Sequence, residues 1–540
     1  MKWEALQEQR ERDTIAAGAS GNLGMRASWM VLTLVCCSAA SGQGFNCDTP
    51  ATPALSNPTV LGNGSAGSVS RAQLQAALDA GGDIRLNIGA STILLDATLQ
   101  ITRAARLDGN GATLSGANAR RVIEIRNPTL ATYDILLQNL TLRDGDARGA
   151  AGNDFARSGG AILNDHGSEP WRAVGLQAFD VQFIGNRGID VAQDGGGGAV
   201  YLTGHREFVC VRCRFESNQG ANGGGVYNLG TQTIRLYDSE FSGNTASGDG
   251  GNPGSGGNGG ALAVDGDTRE LSLCRTHLTG NHANAFGAGL FTTVYDQTSV
   301  TRIWQSTLHA NIQDGADQHT GGAYIQGGPV SIRDSTFSDN SAVGYGGLAL
   351  FDHGAVAIGG EIVNSTFSGN IARNGLGGAM NLQGTAALLL QNLTVAGNRA
   401  PCGVCFAGGI ANGAGRPITL RNSVFFDNTG GNAFNPWTLL NPVQGGSNNI
   451  QFPLVRPGSF GQLELPVTPG AVFADALLAT LSNNGGPTST LALQGGSPAI
   501  DAGTSTGAPA SDQRGFPRVG AVDIGAFELQ GGSLFASGFE

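Results

Sequence analysis

Between residues 183 and 428 the apolar positions fall into one pattern nine times. Each copy closes on a large apolar residue, two variable residues and an asparagine: Phe183-Ile-Gly-Asn186, Phe215-Glu-Ser-Asn218, Phe241-Ser-Gly-Asn244, Leu278-Thr-Gly-Asn281, Leu308-His-Ala-Asn311, Phe337-Ser-Asp-Asn340, Phe367-Ser-Gly-Asn370, Val395-Ala-Gly-Asn398 and Phe425-Phe-Asp-Asn428. The mean period is about 30 residues. Ten and eight residues before the Asn stand apolar pairs such as Ile234/Leu236, Leu271/Leu273, Val330/Ile332 and Leu388/Leu390. Five and three residues before it stand a small and then a large residue, as in Ser239/Phe241, Thr276/Leu278 and Ser365/Phe367. Each pair has period two and predicts a short strand with one face inward. The inward set changes parity between the pairs, which requires a corner about six residues before the Asn. That position holds Asp180, Asp238, Asp334, Asn364, Asn392 and Asn422, residues suited to turns.

The other half of the unit opens on glycines: Gly159-Gly-Ala-Ile162, Gly197-Gly-Ala-Val200, Gly259-Gly-Ala-Leu262, Gly321-Gly-Ala-Tyr324 and Gly377-Gly-Ala-Met380. Paired glycines fit a tight corner between closely approaching backbones, followed by a third strand. Two strands, a corner, a glycine-led strand and a loop per period, stacked in register, predict an all-β, single-stranded right-handed parallel β-helix, a solenoid with coils ~4.8 Å apart. The Asn file then reads as a ladder of amides that satisfy backbone groups at a bend and bond one another across coils. At the corner file, Asp180, Arg212, Asp238 and Arg275 alternate in sign and predict a salt-bridge ladder. From the Asn to the next glycines the chain length varies most, with Ser247–Asn258 the longest case, so one edge of the solenoid carries variable loops.

The solenoid's ends need covers. Ser70-Arg-Ala-Gln73 has the form of a capping box opening a short helix through Leu74, Ala77 and Leu78. Strand-like runs follow at 84–88, 92–95, 99–102 and 107–114. The expected organisation is a start-site artefact (1–24), a signal peptide (25–42), a lead-in (43–68), an N-terminal helical cap with the first coils (69–158), the repeat helix (159–430), a transition (431–480), an irregular C-terminal cap (481–530) and a tail (531–540).

Composition narrows the function. The chain of 540 residues holds 87 Gly, is 40% hydrophobic and only 6% aromatic, and has a net charge of −11. No three-residue glycine period supports collagen, and the acidic balance argues against a nucleic-acid partner. Of the 31 basic residues only Lys2 is lysine, so a lysine base or Schiff base is excluded from any later segment. The apolar run Trp29–Cys37, with Arg26 before it and Ser38-Ala39-Ala40 after it, is too short to span a bilayer and has the form of a secretory signal. No later run predicts a transmembrane span. Six cysteines follow, at 47, 210, 213, 274, 402 and 405. Register places Cys210 and Cys213 inward, favouring buried packing or a local disulfide over zinc. Cys402 and Cys405 favour a disulfide in an oxidising compartment, and Cys274 has no assigned role.

The glycine corner combined with Phe-x-x-Asn resembles the polymorphic outer-membrane protein repeat, a surface-exposed β-helix family of the pectin-lyase-like superfamily. Leu481-Ser-Asn-Asn-Gly-Gly-Pro-Thr488, Gly496-Ser-Pro-Ala-Ile-Asp-Ala-Gly503, Asp512-Gln-Arg-Gly515 and Asp523-Ile-Gly-Ala-Phe-Glu528 resemble the choice-of-anchor Q domain of exported bacterial β-helix proteins. Leu534–Glu540 is similar to a terminal signature of such proteins. The resemblance implies export, a cell-surface, outer-membrane-associated or extracellular location, and a secretion or anchoring machine as partner. The residues after the last repeat lack the series of alternating ~10-residue strands of an autotransporter barrel, so export by a separate machine is implied.

No catalytic constellation emerges. Asp265 and Asp352 share an offset from their glycine pairs but stand three coils apart, about 14 Å at the coil rise, beyond the spacings of glycosidase carboxylates. Asp314 and Asp317 share a loop with His319, and Asp352-His353-Gly354 is isolated. A Ca²⁺ site among these loop carboxylates, or an arginine base over Ca²⁺, is the alternative use; no other cofactor is expected. His277 and His309 lie in or beside the repeat motif and read as surface side chains. The expected function is adhesion or carbohydrate binding, to a glycan or to a host or neighbouring cell surface, through the flank and variable loops. The alternatives are a pectate-lyase-like or glycoside-hydrolase-like enzyme and a structural matrix component.

Overall fold

Two left-handed residues bend every coil. The first is the corner file, where Asp180, Arg212, Asp238, Arg275, Gln305, Asp334, Asn364, Asn392 and Asn422 all have φ between 45° and 56°. The second is the residue before each motif Asn (Gly185, Ser217, Gly243, Gly280, Ala310, Asp339, Gly369, Gly397 and Asp427), with φ between 49° and 69°. Asp, Asn and Gly pay least for this conformation, which explains their recurrence at both places. The computed structural model describes residues 45–530 apart from 129–130, 166–172, 252, 318, 414 and 457. The signal-like stretch, residues 1–24 and the 531–540 tail lie outside the described residues.

The chain forms a right-handed parallel β-helix. A representative coil contains the strands Glu207–Val211, Arg214–Glu216, Gln219–Gly220 and Val226–Leu229. The first two flank the corner in a 25-stranded sheet. The glycine-led strands make an 11-stranded sheet, and strands such as Gln219–Gly220 make an eight-stranded one. The coil therefore has four strands where the apolar pattern predicts three. The additional strand is two residues long, too short to show a period, and lies where the pattern predicts only loop.

Register is parallel and in step: Phe183, Phe215, Phe241 and Leu278 are successive partners. The rings of Phe183 and Phe215 stack at 4.5 Å and those of Phe215 and Phe241 at 4.3 Å, all fully buried. Each such ring removed from water stabilises the stack by about 2 kcal/mol. Beside them runs the amide ladder. Asn186, Asn218, Asn244, Asn281, Asn311, Asn340, Asn370 and Asn398 each donate Nδ2 to the Oδ1 of the Asn one coil on, at 2.8–2.9 Å.

Three coils, those of Ala323, Leu348 and Ile410, depart from the expected register. Leu290, Ala323 and Leu348 are partners, which sets Gly321 and Gly346 one residue later than the first glycine of the pairs in register. Thr320 and Tyr345 occupy the first-glycine position instead. Asp352 consequently does not share a file with Asp265, whose equivalent three coils on is Phe351.

Helix α1 (Arg71–Ala80) carries the capping box: Ser70 accepts from the Gln73 backbone while the Gln73 side chain accepts from Ser70. Its Leu74 and Leu78 are buried in the core with Ile84 and Leu99, closing that end of the stack. At the other end the motif stops at Asn428, but pairing continues. Gly445–Ser447 and Ile450–Phe452 extend the large sheet onto Ile418–Arg421 and Val424–Phe426.

Both terminal segments lie on the corner file. Residues 47–56 run along its first half, and the irregular segment 481–530 along its second. There Thr488 Oγ1 donates to the Asp334 carbonyl at 2.9 Å, Asn364 Nδ2 to the Ser511 carbonyl at 2.8 Å, and Asn422 Nδ2 to the Thr504 carbonyl at 2.8 Å. A second apolar cluster of Val424, Ile450, Leu493, Ile524 and Phe527 holds this segment down.

Candidate functional site

Side chains of the glycine-led strands alternate between the core and the outer flank. The outward file reads Tyr201, Tyr227, Ala263, Phe291 and Tyr324 in register. The variable loops fold over it. Tyr201 Oη donates to the Asp194 carbonyl at 2.8 Å, and Phe286, from the loop before Phe291, lies 4.8 Å from Tyr324 and 4.0 Å from His319. Tyr201 and Tyr227 are buried by this cover. Further along, cover gives out: Tyr324, Tyr345 and Phe351 are half-buried and Tyr295 is 44% exposed. Tyr324 and Phe351 stack at 5.3 Å, and Tyr295 meets His353 edge-on at 4.3 Å.

Asp265 sits at the closed end of this strip, almost fully buried, and its Oδ1 accepts from Tyr295 Oη at 3.0 Å. Tyr295 thus joins two residues that the sequence leaves separate, Asp265 and His353. Burial, and secondarily the Asp265 charge, pushes the Asp194 carboxyl above the usual carboxylate range. The same two causes push the Tyr227 and Tyr295 hydroxyls up. The result is a strip of partly exposed rings that ends beside the buried Asp265.

The remaining sequence candidates are placed elsewhere. Asp352 ties its own loop, accepting from Ile358 N at 2.7 Å and Thr385 Oγ1 at 2.9 Å. Asp314 pairs with His282 at 2.8 Å rather than with Asp317. His319 packs against Phe286, and burial lowers its imidazole pKa. Arg416, pushed down to about 10 by burial, spends its guanidinium on the Gln383 and Ile358 carbonyls. No group of three His, Cys, Asp or Glu side chains placed for a metal occurs among the described residues. Disulfides join Cys210 to Cys213, Cys402 to Cys405, and Cys274 to Cys47.

A second concavity lies on the large sheet. His277, Thr279, Thr307, His309 and Ser338 form the floor of a groove of about 340 Å³, walled by Asn483, Pro487 and Ser489 of the C-terminal segment. His277 is exposed on this floor, though partial desolvation holds its imidazole below the usual range, and His309 Nδ1 meets Ser338 Oγ at 3.0 Å. The Ser/Thr file passes under cover from the groove's edge onward: Thr336, at that edge, donates Oγ1 to the Ser489 carbonyl and Thr366 Oγ1 to Gln513, both at 2.7 Å.

No known family profile matches the chain, and no curated protein matches it. Among solved structures, tailspike protein 3 of bacteriophage CBA120 aligns at 12% identity and a TM-score of 0.34, over 73% of this chain and 58% of the tailspike. The chain thus spans less than two thirds of that protein. PfbA, a surface adhesin of Streptococcus pneumoniae, aligns at 10% identity and a TM-score of 0.36, over 81% of this chain and 99% of the adhesin. No helix among the described residues is long and apolar enough to cross a membrane.

Proposed function

We propose that this chain is an exported β-helix that binds carbohydrate at a cell surface or in the extracellular space, through the aromatic strip on its glycine-led flank. The observation that carries this reading is the open run of Tyr295, Tyr324, Tyr345 and Phe351 beside Asp265 and His353. Rigid rings supply apolar contact at little entropic cost, and a few fixed polar groups orient a ligand. Three disulfides in one chain suit an oxidising compartment. The signal-like run Trp29–Cys37 and the resemblance of the repeat and the 481–530 segment to exported proteins support the same location and a separate export or anchoring machine. The test is a glycan array probed with the wild-type protein and with a Tyr295→Ala/Tyr324→Ala double variant. Binding of a defined glycan class that the variant loses supports the reading. An empty array, or a variant that binds equally well, sinks it.

One observation favours a second reading, a polysaccharide-cleaving enzyme. The half-buried Asp194 carboxyl, pushed up by desolvation and secondarily by the Asp265 charge, has the environment of a general acid. New reducing ends or unsaturated products from a polysaccharide panel, abolished by Asp194→Asn, would select this reading over simple binding.

A further inference from the structure

Residues 47–56 cross the corner file in extended form. Arg275 Nη2 donates to Thr49 Oγ1 at 2.6 Å, and the Thr49 hydroxyl donates to Asp238. Arg212 Nη2 donates to Thr52 Oγ1 and Arg106 Nη2 to the Ala54 carbonyl, both at 2.7 Å, while Ser56 N donates to Asp83 Oδ2 at 2.5 Å. Asp83 and Cys274 stand on rungs of the large sheet separated by six consecutive pairings, from Gly82–Leu86 to Glu270–Cys274. Six coil steps span about 29 Å, close to the roughly 30–32 Å that the nine steps from Cys47 to Ser56 can cover when fully extended. The segment therefore has little slack, and its far end is the Cys47–Cys274 disulfide.

We infer that residues 47–56 are a strap over the Asp180–Arg212–Asp238–Arg275 ladder, and that the Cys47–Cys274 disulfide is the redox-sensitive latch that keeps it closed. The strap's own bonds are side-chain contacts at a partly exposed surface, each worth little alone. The disulfide supplies the cooperativity by making every contact along the strap intramolecular over a short, fixed reach. Cys47 is only partly buried, so a small dithiol reaches it. In that exchange the S–S bond breaks, the dithiol gives up two electrons and two protons and closes to its own disulfide, and Cys47 and Cys274 become thiols. Release exposes the two paired Asp–Arg bridges, 180 with 212 and 238 with 275, as a charged stripe.

The test is amide hydrogen exchange on the full chain. Cys47→Ser is expected to raise exchange in the 48–58 peptide, read at the Ser56 amide that donates to Asp83, at least about tenfold, while strands Thr233–Tyr237 and Glu270–Cys274 keep their protection. Dithiothreitol added to folded wild-type protein should reproduce the effect, which covers the case of a variant that does not fold. A Cys402→Ser/Cys405→Ser control should leave 48–58 protected. Unchanged exchange at 48–58 in both Cys47→Ser and reduced wild-type protein would overturn the latch. Loss of protection throughout the 233–274 strands would overturn it too, because the bond would then hold the coils rather than the strap.

Discussion

Asn244 spends two donors on a single oxygen of Asn281. Its side-chain Nδ2 reaches Asn281 Oδ1 at 2.9 Å and its backbone N–H reaches the same atom at 3.0 Å, while Asn281 Nδ2 donates to the Phe241 carbonyl at 3.0 Å. Replacing Asn281 with Leu orphans two buried donors and one buried acceptor at once. At roughly 1–3 kcal/mol for each stranded group, Asn281→Leu should cost about 3 kcal/mol or more in denaturant unfolding. A loss under about 1 kcal/mol would mean that the ladder is decorative.

The stacked rings carry the apolar half of the same coil. Phe241→Ala empties a fully buried site between Phe215 and Leu278, and the neighbours belong to rigid rungs that collapse little. The expected loss is about 3–5 kcal/mol, read from the shift of the unfolding midpoint. A shift of a few tenths would show that the stack relaxes into the gap.

Two left-handed glycines separate conformational strain from collision. At Gly243, with φ 61°, the nearest atom to an added methyl is Ser217 Oγ at 3.9 Å. Gly243→Ala should therefore cost only about 1 kcal/mol, and Ala310 already occupies the equivalent place. At Gly197, with φ 60°, the methyl would lie 2.3 Å from the Val200 carbonyl oxygen, so Gly197→Ala should abolish soluble expression. Comparable melting temperatures for the two variants would contradict this steric reading.

Docking of the C-terminal segment should weaken as pH rises. Burial, with Asp512 adding to it, pushes the Asp334 carboxyl from 3.8 up to about 6, against the hydrogen bond from Asn364. Between those values the folded state binds more protons than the unfolded one, so stability from this group is highest below about pH 4 and is lost as pH passes through about 6. Burial raises Asp523 in the same segment to about 6 as well, which steepens the same trend. Asp334→Asn removes one contribution. Its melting temperature should exceed that of the wild type at about pH 7.5, and the difference should shrink by about pH 4.5. An equal difference at both values would refute the assignment.

The repeat's outline is readable in the chain because one chemistry recurs at one offset. Asp180, Asn364 and Asn422 announce the left-handed corner, Phe183 through Phe425 the core file, and Ser70 with Gln73 the capped helix. The two-residue strand at Gln219–Gly220 carries no period and stays hidden. The strap and the 481–530 segment bond through scattered threonines, asparagines and carbonyls, so nothing periodic marks Thr49 as a partner of Asp238 or Cys47 as that of Cys274. The aromatic strip was missed for another reason. Counting from glycine pairs misplaces Asp352 by one residue, and Tyr295, His353 and Asp265 come from three different coils.

The path of residues 47–56 also decides where tension enters the molecule. A pull on the chain ahead of Cys47 does not peel away helix α1 and the first rungs one at a time. It is handed across a covalent link to Cys274, on the eighth rung counted from Thr59–Leu61. There the load meets many parallel hydrogen bonds together, in shear, rather than singly at an unravelling edge. The seven rungs before it are bypassed, so the end of the solenoid nearest the chain's start is the part that a tether disturbs least.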